Sequence, residues 1–299
     1  MSNSCNLILN LQNNNTEYPK YFKNIYDKNR ILKKKIFIEW IDLISKKQKS
    51  NIFWWSLNHV SKNNYLNNLY HNFVLLESVK KLKNTNKFNT IIIDENIYEN
   101  VKKIKFRYKK KIIIKSENKK KKFFIKILKF FIYKLCLICS LKLFPKKKSL
   151  NKKNIIIDCF ISNFDNPEKG FIYNLRMTGF INKEYLFAPT FAYLNYFKRF
   201  ILAIKLFYKK NLLIKERYLN ISDILKAFSI FRFAKNYNHR IKKLSNWNFE
   251  ELVYSEMKNF DQFESIINSV LNYYFAKNLK KNNFKIKRSI NYFENQNLD

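Results

Sequence analysis

Short apolar runs alternate along this chain with longer segments of helical periodicity, and this alternation limits the fold more than any other feature. Residues 90–93 and 111–115 carry isoleucine runs typical of buried strands, and residues 154–160 carry another. Asp94-Glu95 after the first run marks an acidic helix start, and residues 65–82 repeat apolar side chains at helical spacing. Strands that alternate with helices predict an α/β domain with a mostly parallel sheet flanked by helices.

The remaining elements are predicted from the same two periodicities. Further strands are expected at 36–38, 52–55, 185–190 (closed by Pro189) and 286–293, and further helices at 191–210, from 222 to about 234, and at 249–279. Residues 1–35 then form an N-terminal extension, and residues 36–299 form the α/β domain.

Glycine is nearly absent, and this excludes one way of binding phosphate. The chain of 299 residues contains 2 Gly and 4 Pro. Neither a G-x-G-x-x-G fingerprint nor a Walker loop can be written with Gly170 and Gly179 alone. Any nucleotide or sugar phosphate must therefore be held by side chains or by loops of another kind.

The net charge of +37 suggests nucleic acid, but the composition offers a simpler cause. Lys, Asn, Ile, Phe and Tyr are abundant together while Gly, Pro and Arg are scarce, as expected from a strongly AT-rich genome. The basic residues are also spread through the apparent α/β domain. A basic nucleic-acid-binding or ribosomal protein is therefore the alternative function, and nucleic acid is not the expected partner. The remaining charge favours anionic lipid, nucleotide or phosphate.

Cysteine and histidine give no sign of a metal or redox centre. Cys136 and Cys139 have the spacing of a zinc or redox pair, but they lie in an apolar helical run with no second pair nearby, so we expect a buried structural role. His59, His71 and His239 show no metal-ligand spacing. We therefore expect no metal and no cofactor. Four cysteines in a chain of this length and the lack of a signal-peptide pattern favour the cytoplasm.

A basic and apolar helical insertion covers about residues 119–148. Lys126, Lys129, Lys134 and Lys142 interrupt its apolar run and spread around the helix. Three interpretations stay open: an interfacial helix on anionic lipid, a buried or inter-subdomain helix, and a membrane span. The first would make the protein peripheral at the inner face of the cytoplasmic membrane.

Four segments together resemble bacterial surface-carbohydrate biosynthesis proteins, which are thought to be glycosyltransferases of the GT-B type. They are Phe53-Trp54-Trp55-Ser56-Leu57 with Lys62 downstream, Tyr185-Leu186-Phe187-Ala188-Pro189-Thr190, Leu213-Ile214-Lys215-Glu216-Arg217-Tyr218-Leu219 followed by Ser222-Asp223, and Asn291-Tyr292-Phe293-Glu294-Asn295-Gln296. The resemblance covers roughly residues 36–299.

The resemblance implies a Rossmann-like fold, similar to the N-terminal domain of GT-B enzymes. It implies a transferase function in lipopolysaccharide O-antigen or capsule synthesis, with a sugar or lipid-linked glycan as acceptor and a nucleotide sugar as donor substrate. In the family the chain continues past Glu-Asn-Gln. We therefore expect this chain to be the acceptor-side half, with the C-terminal donor-binding domain absent or supplied by a partner chain.

The resemblance also implies the site residues. Glu294 is the candidate catalytic carboxylate, and Asn295 and Gln296 are candidates to bind sugar hydroxyls. The alternative for these residues is a polar strand end that caps a neighbouring helix.

Lys215 and Glu216 are candidates for substrate binding because Lys215 would bring a cation to phosphate; the alternative is a surface ion pair. Trp54 and Trp55 would point to opposite faces of a strand, so that one can meet a sugar ring, unless both pack in the core. Asp223 is most simply a helix-start residue.

Overall fold

The computed structural model of the chain describes residues 8–12, 17–49, 51–56, 68–115, 119–144, 155–161, 163–165, 185–191, 194–209, 212–230, 247, 252–253, 260–284, 286 and 288–290. These residues form a mixed α/β structure with two small parallel sheets, which confirms the predicted class. The chain divides into two compact units. Unit 1 contains Met1–Lys126 and Ser229–Ile267, and unit 2 contains Ile127–Phe228 and Asn268–Asp299.

Unit 1 is built around a parallel sheet of three strands in the order β1-β2-β3. These strands are β1 (Ile8–Asn10), β2 (Thr90–Asp94) and β3 (Lys111–Lys115). Ile91 and Ile93, which share one face of the central strand, are fully buried, whereas Ile92 on the other face is partly exposed. The helices are α1 (Lys20–Lys47), α2 (Ile52–Ser56), α3 (Leu69–Lys81) and α4 (Glu95–Lys102).

Two of the predicted strands in unit 1 are wrong. Residues 36–38 lie inside α1, where buried Phe37, Ile41 and Ile44 follow helical rather than alternating spacing. Residues 52–55 lie in α2. There the side-chain oxygen of Asn51 accepts hydrogen bonds from the backbone N–H groups of Phe53 and Trp54, which is how a helix start is stabilised.

Contacts between α1 and α3 form the main core of unit 1. The rings of Phe37 and Phe73 stack with centroids 6.1 Å apart, and Asn29 donates a hydrogen bond of 3.0 Å to Ser78. The buried carboxylate of Glu77 on α3 lies 2.7 Å from Lys33 Nζ and accepts a second bond of 2.7 Å from the indole N–H of Trp247. This buried charge is therefore paired and hydrogen-bonded on both oxygens.

Unit 2 contains a second parallel sheet, in the order β5-β4-β6. Its strands are β4 (Ile155–Ile161), β5 (Tyr185–Phe191) and β6 (Arg288–Ile290). Pro189 does not end β5 as predicted. The strand continues to Phe191, with Pro189 opposite Cys159, because β5 lies at the edge of the sheet where a missing N–H is tolerated.

Further α-helices are α5 (Lys119–Leu143), α6 (Tyr196–Phe207), α7 (Ile221–Phe228) and α8 (Phe260–Lys281). The division between the units falls within α5 and within α8. Cys136 and Cys139 on α5 are exposed, so their predicted burial is wrong. Within the described ranges, no helix is both long enough and apolar enough to cross a membrane.

Candidate functional site

A lysine side chain links two neighbouring strands on one face of the unit 2 sheet. Lys215 Nζ donates hydrogen bonds to Asp158 Oδ1 at 2.7 Å and to Thr190 Oγ1 at 2.9 Å. Asp158 is in register with Ala188, and Thr190 with Phe160. Asp158 and Thr190 are therefore diagonal neighbours, whose side chains leave the same face of the sheet toward its carboxyl end.

The backbone delivers Lys215 to this position through an extra stretch beside β5. Leu212 forms a parallel bridge with Phe187, and the N–H of Leu213 donates a bond of 2.8 Å to the carbonyl of Phe187. A 3-10 turn at Lys215–Tyr218 follows directly. Since Leu212 and Leu213 are buried, the start of this turn is fixed against the sheet.

Glu216, the next residue, forms a separate buried ion pair with α5. Its Oε1 lies 2.7 Å from Lys134 Nζ, and both side chains are about nine-tenths buried. Burial alone would raise the pKa of Glu216, but the charge and hydrogen bond of Lys134, a backbone hydrogen bond and the charge of Lys215 together hold it below its ordinary value of 4.5. Glu216 is therefore ionised at neutral pH and keeps Lys134 in place.

Asp223 organises the far end of the turn and confirms its predicted role as a helix-start residue. Its Oδ2 accepts a 2.8 Å bond from the N–H of Asn220, in the manner of a capping box at the start of α7. The amide of Asn278 on α8 donates to the same oxygen at 2.7 Å and to the carbonyl of Tyr218 at 2.8 Å. Asp223 therefore connects α7, α8 and the turn.

A pocket of about 60 Å³ opens beside these pairs within unit 2. Its polar and charged lining consists of Lys134, Thr190, Arg199, Lys215, Glu216, Asn268 and Asn272, and its apolar lining consists of Tyr133, Pro189, Phe191, Leu219 and Leu271. Three cations, from Lys134, Arg199 and Lys215, and one carboxylate, from Glu216, thus line the pocket. Asp158 contacts the pocket through its ion pair with Lys215.

Arg199 is held at the wall of the pocket by its surroundings. Its Nε donates a 2.7 Å bond to the carbonyl of Leu194, and its guanidinium lies 5.3 Å from the ring centroid of Tyr196. Tyr196 in turn stacks on Tyr133 with centroids 5.0 Å apart. The cation is thereby positioned with little freedom, which favours binding of a fixed anionic group.

Two groups in or beside this pocket are poorly suited to proton transfer or nucleophilic attack. Glu216 is a weak base because its pKa is lowered. Cys159, next to Asp158, is buried, and burial together with the Asp158 charge raises the pKa of its thiol to about 12 in spite of Lys215. The thiol stays protonated at neutral pH and is unreactive. The excess of lysine and arginine favours an anionic or polyhydroxylated ligand.

A second polar cluster lies in unit 1 and has a different character. Tyr26 Oη lies 2.7 Å from His71 Nδ1, and Tyr18 Oη lies 3.5 Å from His71 Nε2. Burial lowers the pKa of His71 below its ordinary value of 6.5, against an opposing effect of the Asp94 carboxylate. Burial and Asp94 raise the pKa of Tyr18 to about 12. His71 is therefore a neutral, partly buried histidine that is hydrogen-bonded to tyrosine. In the part of the chain that the structure describes, no group of three or more potential ligands is arranged to hold a metal ion.

The predicted site residues fall into three groups. Lys215 and Glu216 both line the pocket, and each is buried in an ion pair with another residue, so they form ion pairs but not surface ones. Trp54 and Trp55 lie in unit 1. Trp54 is fully buried and donates a 3.0 Å bond to Ser45 Oγ, whereas Trp55 is half exposed.

The last three predicted residues, Glu294, Asn295 and Gln296, lie outside the described residues.

The charged and hydroxyl side chains that sequence reasoning missed at the pocket are Lys134, Asp158, Thr190 and Arg199. Two of them left a signal. Asp158 interrupts an isoleucine run in a core strand, and charged residues are rarely buried without a partner. Lys134 falls on the same helix face as the fully buried Phe130 and Leu137. Thr190 and Arg199 left none.

Comparison with protein-family models, with curated proteins and with solved structures finds no match to this chain.

Proposed function

We propose that this chain is a glycosyltransferase-like protein of surface-polysaccharide synthesis, for lipopolysaccharide O-antigen or capsule, and that its unit 2 pocket binds the anionic part of a glycosyl substrate. The position of Lys215 carries this proposal. Lys215 belongs to the Lys-Glu-x-Tyr-Leu segment on which the resemblance partly rests, and its ammonium lies in a pocket wall with Lys134 and Arg199.

The topology of unit 2 supports a Rossmann-like interpretation of its sheet. The chain runs from central β4 to β5 on one side and later to β6 on the other. In open parallel sheets, ligands bind near the carboxyl ends of the strands where the chain changes direction in this way. Thr190 stands at the end of β5, next to last in the strand.

The size of the pocket limits what it holds. One water needs about 10–15 Å³ of such space, so a volume of about 60 Å³ admits a group of only a few atoms. A phosphate or a sugar carboxylate fits this description, and the rest of the substrate would lie outside. We propose the glycan acceptor as the ligand of this pocket, with a nucleotide sugar as the donor substrate of the reaction.

Calorimetric titration with sugar 1-phosphates, nucleotide sugars, acidic sugars and neutral sugars tests this function. At constant ionic strength we expect one saturable site for a phosphorylated or acidic sugar, and weaker binding of inorganic phosphate. Lys215→Met should weaken binding about ten-fold or more, as loss of a charge-assisted hydrogen bond costs about 1.5–3 kcal/mol. Thr190→Val, which leaves the Lys215–Asp158 pair intact, should weaken it less.

Lys205→Met is the matched control, because Lys205 is an exposed lysine on α6 that does not line the pocket. Equal losses in Lys215→Met and Lys205→Met would show nonspecific attraction to a basic protein and would contradict the proposal. So would tight, salt-sensitive binding of RNA with no binding of any sugar.

A further inference from the structure

One side of α5 is apolar and exposed over four turns. We define its outer face by Leu128, Ile132, Cys139 and Leu143, which follow one another at helical spacing. Leu128 is 57% exposed, Ile132 49% and Leu143 86%, and Cys139 is also exposed. Monomeric proteins rarely leave such a continuous apolar strip in water, and an exposed strip of this kind marks an interaction surface.

The opposite side of α5 is already buried. Phe130, Leu137, Ile138 and Leu141 are all fully buried there, and the Phe130 ring packs against Phe228 with centroids 6.0 Å apart. In an amphipathic surface helix, the residues opposite the buried side are polar. In α5 that position is occupied by the apolar residues of the outer face. The outer face therefore requires an apolar partner of its own.

The charges around the outer face identify the partner as anionic. Lys129 and Lys142 are exposed at its borders. Lysine runs occupy positions 119–122, at the start of α5, and positions 146–148 in the sequence after it, and no acidic residue occurs between Glu117 and Asp158. Lysines beside an apolar strip suit the boundary of an anionic bilayer, where the stems cover apolar surface and the ammonium groups meet lipid phosphates.

A second copy of the chain fits the same face poorly. In a two-fold dimer, an axis through the middle of the outer face would place Leu128 of one copy against Leu143 of the other, and Ile132 against Cys139. The spacing of these four residues permits this arrangement. The same operation places Lys129 against Lys142 at both ends of the contact. Because α5 contains no acidic residue, nothing on the helix compensates this like-charge contact.

We propose that the outer face of α5 lies flat on an anionic lipid membrane, with Leu128, Ile132, Cys139 and Leu143 at the boundary between headgroups and acyl chains. The surface does not depend on the proposed glycosyl substrate. If both proposals hold, the pocket lies in a protein docked where lipid-linked glycans are available.

A fluorophore on Cys139 reports this contact directly. In a variant with Cys5→Ser and Cys136→Ser, an environment-sensitive thiol probe would label Cys139, since Cys159 is buried. Vesicles of phosphatidylcholine with phosphatidylglycerol should shift the emission to the blue, and lipids brominated on the acyl chain should quench it. Phosphatidylcholine alone should have little effect. The control probe is placed by Lys205→Cys on α6, with Cys139→Ser added, and should show neither change.

Vesicle co-sedimentation tests the apolar contribution. Leu128→Asp with Ile132→Asp should lower the partition coefficient about a hundred-fold, since each buried side chain of this size contributes on the order of ten-fold or more. The matched control is Leu32→Asp with Ile36→Asp on α1, two exposed apolar residues with the same four-residue spacing. Leu128→Gln with Ile132→Gln repeats the test without added charge, and circular dichroism checks the fold of each variant.

Three results would overturn the proposal. The first is an unshifted, unquenched Cys139 probe in the presence of anionic vesicles. The second is an equal loss of vesicle binding in the α1 control. The third is a dimer, detected by light scattering, that Leu128→Asp with Ile132→Asp dissociates, because the outer face would then be covered by a second copy.

Discussion

Units 1 and 2 each contain a three-stranded parallel sheet, but they use buried polar groups differently. In unit 1, Glu77 is surrounded by donors from Lys33 and Trp247, and neutral His71 is bonded to Tyr26. These contacts hold helices together. In unit 2, two lysine–carboxylate pairs stand beside a pocket, so that cations are fixed where a ligand can reach them.

The difference shows that a parallel sheet does not by itself make a site. Glu77 and Glu216 are both buried glutamates paired with lysine at 2.7 Å. Glu216 lines the unit 2 pocket together with its neighbour Lys215, which bonds to groups on two strands. We therefore expect the pairs to respond differently to mutation, to acid and to ligand.

The largest effect is expected from Lys134→Met in unit 2. This change leaves the Glu216 carboxylate buried without its cation, and breaking such a pair costs about 3–5 kcal/mol. Denaturant unfolding, followed by the reactivity of the buried Cys159 thiol, reports unit 2 selectively once the other cysteines are replaced. Adding Glu216→Leu should recover most of the loss. A loss below about 1 kcal/mol in the single variant would show that water reaches the pair.

A smaller effect is expected from Glu77→Gln in unit 1. The glutamine oxygen can still accept the Trp247 indole N–H, and Lys33 is exposed enough to regain water. We expect a loss of about 1–2 kcal/mol, the usual range for losing the charged partner of a hydrogen bond. Tryptophan fluorescence measures it, because Trp40, Trp54, Trp55 and Trp247 all lie in unit 1. If Glu77→Gln lowers the free energy of unfolding as much as Lys134→Met does, the buried ion pairs of the two units do not differ in this respect.

Acid should affect unit 1 before unit 2. The pKa of native His71 lies below 6.5, so the unfolded chain takes up the proton first, and stability that is complete at neutral pH falls as the pH drops below 6.5. The pKa of native Glu216 lies below 4.5, so its contribution persists until the pH falls below 4.5. The slope for one group is at most about 1.4 kcal/mol per pH unit.

Tryptophan fluorescence and Cys159 labelling follow the two units separately across this range. His71→Gln should flatten the unit 1 curve between pH 6.5 and the native pKa of His71. If the curve is unchanged in His71→Gln, another group is responsible for the acid sensitivity.

The smallest effect on stability is expected from Lys215→Met. The Asp158 side chain that loses its partner is 30% exposed and can be hydrated, so a cost of about 1 kcal/mol is reasonable. The same variant should lose ligand binding in the titration proposed above. If Lys215→Met lowers the free energy of unfolding as much as Lys134→Met does, the main role of Lys215 is to stabilise the fold.

The sequence predicted the strands whose isoleucine runs stand between clear helices, and it predicted the start of α4 at Asp94-Glu95. The strand predicted at residues 36–38 is wrong because three apolar residues fit either a strand or a helix. Phe37 and Ile41 are both buried in α1, and their four-residue spacing is that of a helix. Of the residues that line the pocket, the sequence predicted Lys215 and Glu216 as site residues. Asp158 lies 57 residues before Lys215, and Lys134 lies 82 residues before Glu216. Pairings at such separations are set by the fold and leave little local pattern.

The crystal structure of the chain with the tightest-binding sugar phosphate or acidic sugar would test the central claim most directly. We expect an anionic group of the ligand in the unit 2 pocket, within hydrogen-bonding distance of Lys215 Nζ or of the Arg199 guanidinium. A ligand bound elsewhere, with the Lys215 pocket closed to it, would contradict the proposed function.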